Sequence, residues 1–299
     1  MTTALSDLLG LMELERIEVN IFRGQSRDIG SAQVFGGQVL GQALSAAQQT
    51  VADRSAHSLH AYFLRRGDQQ APIVYEVDHQ RDGRSFTVRR VVAIQHGRPI
   101  FNMAASFHVP EPGLEHFDAM AAVPSPDELA SSLELSEQMS DSIPEKMRRF
   151  IALQQPLDFR PVHPEHYFSA SKLPARKQIW MRVAGELPDD DALHRSLLAY
   201  LSDYQLLGTA TLPHGLSFAR GNVQMASLDH ALWFHRPVRV NEWLFCDFDS
   251  PNAAGARGFA RGRIFSQDGT LVASSAQEGL IRLWDDSKEK ATADFRGQR

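Results

Sequence analysis

A single cysteine, Cys246, stands in the whole chain, which excludes an intramolecular disulfide and any metal or redox site built from several thiolates. It lies in the apolar run Trp243-Leu244-Phe245-Cys246 and reads as a buried small hydrophobe, not as a nucleophile. No stretch of about 18 apolar residues is present to span a bilayer. The start, Met1-Thr2-Thr3-Ala4-Leu5-Ser6-Asp7, has neither the basic residues nor the apolar core of a secretion signal, so a cytoplasmic protein is expected. Positive charge is not in excess either: 31 Lys+Arg against 36 Asp+Glu leave a net charge of -5, and no overall field draws in nucleic acid. An anionic small ligand needs only a local cluster of basic side chains or backbone N–H groups, so it stays open. The phosphate-loop pattern Gly-x-x-x-x-Gly-Lys-Ser/Thr is missing, and no serine sits in a Gly-x-Ser-x-Gly elbow. Nucleotide hydrolysis and elbow-type acyl-serine chemistry therefore have no support.

What remains is a folded chain of 299 residues, 43% hydrophobic and 22% charged, long enough for two ordinary domains. Internal similarity indicates that there are two. Ser58-Leu59-His60-Ala61-Tyr62-Phe63-Leu64-Arg65-Arg66 resembles Leu228-Asp229-His230-Ala231-Leu232-Trp233-Phe234-His235-Arg236, setting His60 against His230 at an offset of 170 residues. At nearly the same offset, the turn and strand from Gly97 match those from Asp268. Phe86-Thr87-Val88-Arg89-Arg90-Val91 and Arg257 to Phe265 alternate apolar and polar residues as half-buried strands do. Asp82-Gly83 and Asp268-Gly269 are the turn dipeptides expected between antiparallel strands. Each half also has a helix before its strands. In one, Val39, Leu40, Ala43, Leu44 and Ala47 make an apolar face; the other is expected from His194 to Leu207. The reading is α+β, each half a central helix covering an antiparallel sheet. Between the halves, a proline-rich segment with short helices around Asp127 to Ser136 and Glu145 to Gln154 reads as a linker, and the charged stretch from Ser287 to Arg299 reads as a frayed tail.

The informative polar residue is Asp203. On a continuous helix it shares a face with Ala199 and Tyr200 before it and Leu206 and Leu207 after it, so its carboxylate points where apolar side chains point. A charge there is costly unless paired or put to use, and burial should raise its pKa. The bland alternative is a cap or an exposed residue on a misphased helix. Gly36 to Gln48, the helix of the first half, contains no Asp or Glu, which argues for one working site per chain. Asp229-His230 beside Ser227 invites a triad, but neighbouring strand residues face opposite ways, and a histidine at both His60 and His230 favours a shared structural role. His163-Pro164-Glu165-His166 reads as a loop without a third ligand, so no metal site is expected.

Phe22-Arg23-Gly24-Gln25, Gln33-Val34-Phe35-Gly36-Gly37-Gln38, His60-Ala61-Tyr62-Phe63-Leu64, Ser227 through Pro237 and Gln277-Glu278-Gly279 together resemble the acyl-CoA thioesterase II family of double hot dog proteins. The resemblance runs from about residue 5 to 284. It implies a tandem hot dog fold, with an N-terminal unit over 1–110, the linker over 111–155, a C-terminal unit carrying the catalytic residues over 156–286 and the tail over 287–299. It also implies hydrolysis of fatty acyl-CoA to free acid and CoA, without a cofactor. The family's catalytic Asp falls on Asp203, its hydroxyl residue on Ser227 and its Gln on Gln277. From sequence alone, Ser227 is only a serine at the start of a strand and Gln277 a glutamine at the end of one. Backbone N–H groups near Gly37 and Gln38 are the expected oxyanion donors. A homodimer or homotetramer is expected by analogy. An enoyl-CoA hydratase with an Asp and His pair on the same fold, and a non-catalytic acyl-CoA binding protein, are the alternatives.

Overall fold

In the computed structural model, which describes residues 2–31, 33–140, 143, 145–168, 171–216 and 223–283, each half of the chain encloses a helix in antiparallel strands. The expected tail lies outside these residues. The first half runs α1 (Thr3–Met12), β1 (Glu15–Glu18), β2 (Ile21–Gly24), α2 (Gly36–Gln48), β3 (Ser55–Phe63), β4 (Ile73–Asp82), β5 (Phe86–Gln95) and β6 (Arg98–His108). A connecting segment carries α3 (Ser132–Gln138) and α4 (Glu145–Leu153). The second half continues with β7 (Leu157–Pro161), α5 (Glu165–Phe168), β8 (Arg176–Val183), α6 (Asp191–Ser202), a 3₁₀ segment (Leu207–His214), β9 (Val223–Ser227), β10 (Asp229–Phe234), β11 (Leu244–Ala254), β12 (Arg257–Ser266) and β13 (Leu271–Leu283).

The strands form one sheet in the order β1-β2-β4-β5-β6-β3-β10-β13-β12-β11-β8-β7, with β9 paired to β13. The halves join where β3 pairs with β10, Leu59 opposite Leu232 and Ala61 opposite His230. Helix α2 packs on β3 to β6, α6 packs on β3 and β10, and the helices pack on each other. This is an α+β architecture, a hot dog fold in tandem. Cys246 lies in its core, fully buried. Among the described residues no helix is long and apolar enough to cross a membrane.

Two features depart from the sequence reading. The His60–His230 match fails: His60 is exposed whereas His230 is buried. Strand starts place the repeat 171 residues apart, Ile73 with Leu244 and Phe86 with Arg257, so Leu59 is the counterpart of His230. A slip of one residue turns every side chain to the other face of a strand, and the shared structural role inferred for the two histidines falls with it. The segment between the halves is also more than a tether. Trp180, Trp243, Phe245 and Phe265 form an apolar cluster on the outer face of the second sheet, and Met120, Ala121, Val123 and Leu129 cover it. Trp180 Nε1 donates to the Pro124 carbonyl at 3.0 Å and Arg160 Nη1 to that of Pro126 at 2.8 Å.

The helix pair is antiparallel and unusually close. Gln48 at the end of α2 donates to the Ala192 carbonyl and to Ser196 on α6. A Cβ on Gly41 would lie 2.8 Å from the Ser196 carbonyl oxygen, and one on Gly37 would collide with the carbonyl of Tyr200. Glycines four apart on one helix face thus let the backbones touch, which brings the start of α2 against the end of α6. Gly41→Ala is expected to lower the unfolding free energy by about 1–3 kcal/mol, the usual cost of overpacking, because its obstacle is backbone. Gly10→Ala on α1, where nothing lies within 4 Å, should instead be neutral or stabilising by up to about 1 kcal/mol. Urea denaturation of the two variants checks this; equal effects would show that the helices do not need the close approach.

Candidate active site

Asp203 caps the C-terminal end of α6. The helix stops at Ser202 and does not run on to Leu207, because Gln205 takes a left-handed conformation, φ 68°. Leu206 and Leu207 are therefore not the next turn of the same face. The carboxylate is buried all the same, its side chain 5% exposed, because it projects at the first turn of α2. The backbone N–H of Gly37 is directed at it, and a Cβ on Gly36 would stand 2.7 Å from its Oδ2. Phe35, the residue before α2, offers no capping side chain. The Asp203 carboxylate thus serves the unpaired N–H groups of a helix whose dipole favours negative charge there.

Ser227 and Gln277 arrive from the sheet. Ser227 closes β9 and does not open a strand; the chain breaks at Leu228 before β10 begins. Gln277 sits inside β13, not at its end, where that strand exchanges partners: Ala276 pairs with Ala231 of β10 and Gly279 with Ser227 of β9. Gln277 is fully buried and faces inward. Its Nε2 donates to Asp203 Oδ1 at 2.6 Å and to Ser227 Oγ at 2.9 Å, while Ser227 Oγ donates to the same Oδ1 at 3.3 Å. The amide nitrogen faces two acceptors, and Oε1 has no hydrogen-bond partner among the described residues.

Burial is the largest influence on Asp203 and pushes its pKa from 3.8 up to about 6; the hydrogen bonds from Gln277, Ser227 and Gly37 act the other way. His230 is also buried, and desolvation lowers its pKa to about 3. It is neutral, so its approach to Asp203, Nδ1 to Oδ1 at 3.9 Å, is no ion pair. Tyr200 and Tyr204 line the same end of α6, hydroxyls 3.0 Å apart, with Phe35 packed on both rings. Gln38 is turned elsewhere: its N–H donates to the Phe35 carbonyl, and its side chain holds the loop through Arg27 N and Gln25 O. Of the two residues expected as oxyanion donors, only Gly37 faces the carboxylate.

Comparison with known proteins gives this geometry a context. Residues 148–280 match the family described as acyl-CoA thioesterase, and residues 24–108 match the acyl-CoA thioesterase N-terminal domain. The chain is 44% identical over 284 residues to acyl-CoA thioesterase 2 of Haemophilus influenzae, covering 95% of this chain and 99% of that protein. The chain belongs to the acyl-CoA thioesterase family. The crystal structure of acyl-CoA thioesterase II TesB2 from Mycobacterium marinum is similar over 92% of this chain and 98% of that one, at 42% identity and a TM-score of 0.75. A hot dog protein from Alicyclobacillus acidocaldarius, at 19% identity and a TM-score of 0.76 over 95% of this chain and 100% of that one, bears on the fold alone.

Three features of this thioesterase were not foreseen from its residues: the contact of Gly36 with the carboxylate, the aromatic wall of Phe35, Tyr200 and Tyr204, and the nearness of His230. The glycine pair and the tyrosines have a sequence signal, small residues at a helix start and aromatics four apart. His230 lost its signal through the misregistered repeat. Asp229 points away from the site, as alternation requires, and accepts from the Glu278 N–H at 2.7 Å. His163, Glu165 and His166 do bring three donor atoms within 4.8 Å of one another, with Glu165 the third ligand that the sequence reading lacked. His163 and Glu165 are largely exposed there, and a cluster of exposed groups needs no ion.

The raised pKa of Asp203 makes a stability prediction for this thioesterase. The folded carboxyl keeps its proton up to about pH 6, whereas the unfolded one releases it near 3.8. Ionisation therefore costs the fold, by at most about 3 kcal/mol at roughly 1.4 kcal/mol per unit. The penalty is absent below about pH 4, grows between about pH 4 and 6, and is constant above. Asp203→Asn removes the titration, so its stability relative to the parent should rise by about 2 kcal/mol between pH 4 and 7 in denaturant unfolding. A difference independent of pH would mean that the carboxylate is well solvated.

Proposed function

We propose that this acyl-CoA thioesterase hydrolyses fatty acyl-CoA with a water activated by Asp203 and oriented with the help of Ser227 and Gln277. The observation that carries the reading is the buried carboxylate held by those two side chains at the start of α2. A base with a pKa near 6 is ionised at neutral pH yet close enough to it to take and return a proton. The units over 1–110 and 156–286 contribute different parts, the first the helix start, the second the polar side chains.

Water loses a proton to Asp203 as its oxygen bonds to the thioester carbon. Gln277 Oε1, buried and without a partner among the described residues, is the acceptor for the second hydrogen of that water. Negative charge gathers on the former carbonyl oxygen, where the positive end of α2 favours it. The C–S bond then breaks and the departing thiolate takes the proton from Asp203, giving the free acid and CoA. Ser227 is not the nucleophile in this scheme. The imidazole beside it, His230, is bonded to Ser202 and not to Ser227, so the serine lacks a base to strip its proton. The rings of Phe35, Tyr200 and Tyr204 offer an apolar wall beside the site, which suits a hydrocarbon chain.

Release of CoA, followed with a thiol reagent over a panel from short to long acyl chains, tests both substrate and base. Asp203→Asn is expected to lower kcat by about 10²- to 10⁴-fold, and the parent kcat/KM to fall on the acid side of about pH 6. A variant that keeps its turnover, or a parent that adds water to an enoyl-CoA and releases no CoA, would overturn the reading.

A further inference from the structure

The hydrolysis proposed above leaves His230 without a task, although it is buried beside the base. The hydrogen bonds around it bear on which nitrogen carries the proton. Ser202 Oγ donates its one proton to the Ala199 carbonyl at 2.9 Å, a carbonyl in the last turn of α6 that has no partner further along the helix. With its proton on that carbonyl, Ser202 Oγ is the acceptor in its 2.9 Å contact with His230 Nε2, an arrangement that puts the imidazole proton on Nε2. Nδ1 keeps its lone pair. It is fully buried, has no hydrogen-bond partner among the described residues and lies 3.9 Å from Asp203 Oδ1.

Two lone-pair-bearing atoms that face each other in a dry site repel while the carboxylate is ionised and attract once it bears a proton. We propose that His230 is a positioning residue of the hydrolysis, its Nδ1 accepting the hydrogen bond of the Asp203 carboxyl after that group has taken the proton from water. The inference rests on Asp203 being the base. The step moves no atom between the two residues: the O–H of water breaks, the O–H of Asp203 forms and is held by Nδ1, and that proton leaves with the thiolate. Closing 3.9 Å to hydrogen-bond length takes about 1 Å, within the tightening that catalytic contacts undergo when substrate binds.

Few other groups compete. From α6 come Asp203 itself and, at the same end, Tyr200 and Tyr204, on both of which the charge of Arg27 acts; α2 carries no charged residue. On β3 and β13 the nearby His60 and Glu278 are on the other face, Glu278 paired with Arg257, and Asp229 on β10 also faces away.

His230→Asn sets an amide oxygen near the place of Nδ1, whereas His230→Gln reaches the place of Nε2 and keeps the bond to Ser202. A residue that only fills space or braces Ser202 would tolerate Gln at least as well as Asn. The proposal expects the reverse: Asn within about threefold of the parent in kcat, Gln down by about 10- to 100-fold with KM within about threefold, the loss falling on the proton-transfer step. The acid limb of kcat/KM should move to lower pH in Gln and stay in Asn. Thermal melts report folding, and the ¹⁵N NMR spectrum of the parent reads the tautomer even if a variant fails to fold. A proton on Nδ1, or Gln equal to the parent with an unmoved limb, overturns the proposal. If Asp203→Asn retains turnover, the base assignment fails and this inference with it; if Asp203→Asn is inactive and His230→Gln is not, this inference fails alone.

Discussion

The backbones of α2 and α6 touch, and the place of the Asp203 carboxylate at the start of α2 follows from that contact. With Gly37 and Gly41 against the carbonyls of Tyr200 and Ser196, the antiparallel helices are drawn together until the unpaired N–H groups of one face the last residue of the other. Had either glycine carried a side chain, Asp203 would stand further from the N-terminus of α2 and open to water. Two otherwise separate half-sheets are thereby coupled at two levels, by the β3–β10 ladder and by the helix pair above it.

Opposed forces then set the state of the carboxylate. Removal from water favours the neutral acid; the helix N-terminus, Gln277 and Ser227 favour the anion, and the balance falls near 6. An aspartate left in solvent would be too weak a base at neutral pH, and one buried without donors would stay protonated. The neutral state of His230 belongs to the same balance, since an imidazolium 3.9 Å away would pull the carboxyl back toward its ordinary range. Desolvating both groups keeps the pair from collapsing into a salt bridge.

How much of this the residues disclose depends on the distance over which each signal acts. Helix α2 was legible because its apolar spacing is local, and the two-fold organisation because strand patterns repeat. The end of α6 was not, since the left-handed turn at Gln205 carries no glycine to announce it. The burial expected of Asp203 is found, but on another ground: the start of α2, far earlier in the chain, buries it, not its own leucines. Ser227 and Gln277 were invisible without the family resemblance. Each looks like an ordinary strand residue until β13 exchanges β10 for β9 and sets the two side by side.

The two ends of the helix pair are built differently. Asp203 caps α6 where α2 begins; at the opposite end of the pair the residue capping α2 is Gln49, beside the start of α6. That start is already served, because Asp190 accepts from the N–H groups of Ala192 and Leu193, and Asp191 is engaged by Arg195 and Ser55. Gln49 is exposed there, and the start of α6 draws its carboxylates from its own chain neighbours, Asp190 and Asp191. One end of the helix pair uses its side-chain carboxylates to stabilise a helix in the ordinary way. The other leaves the helix start uncapped by its own neighbour, so that the group completing it is a carboxylate carried by the other half of the chain.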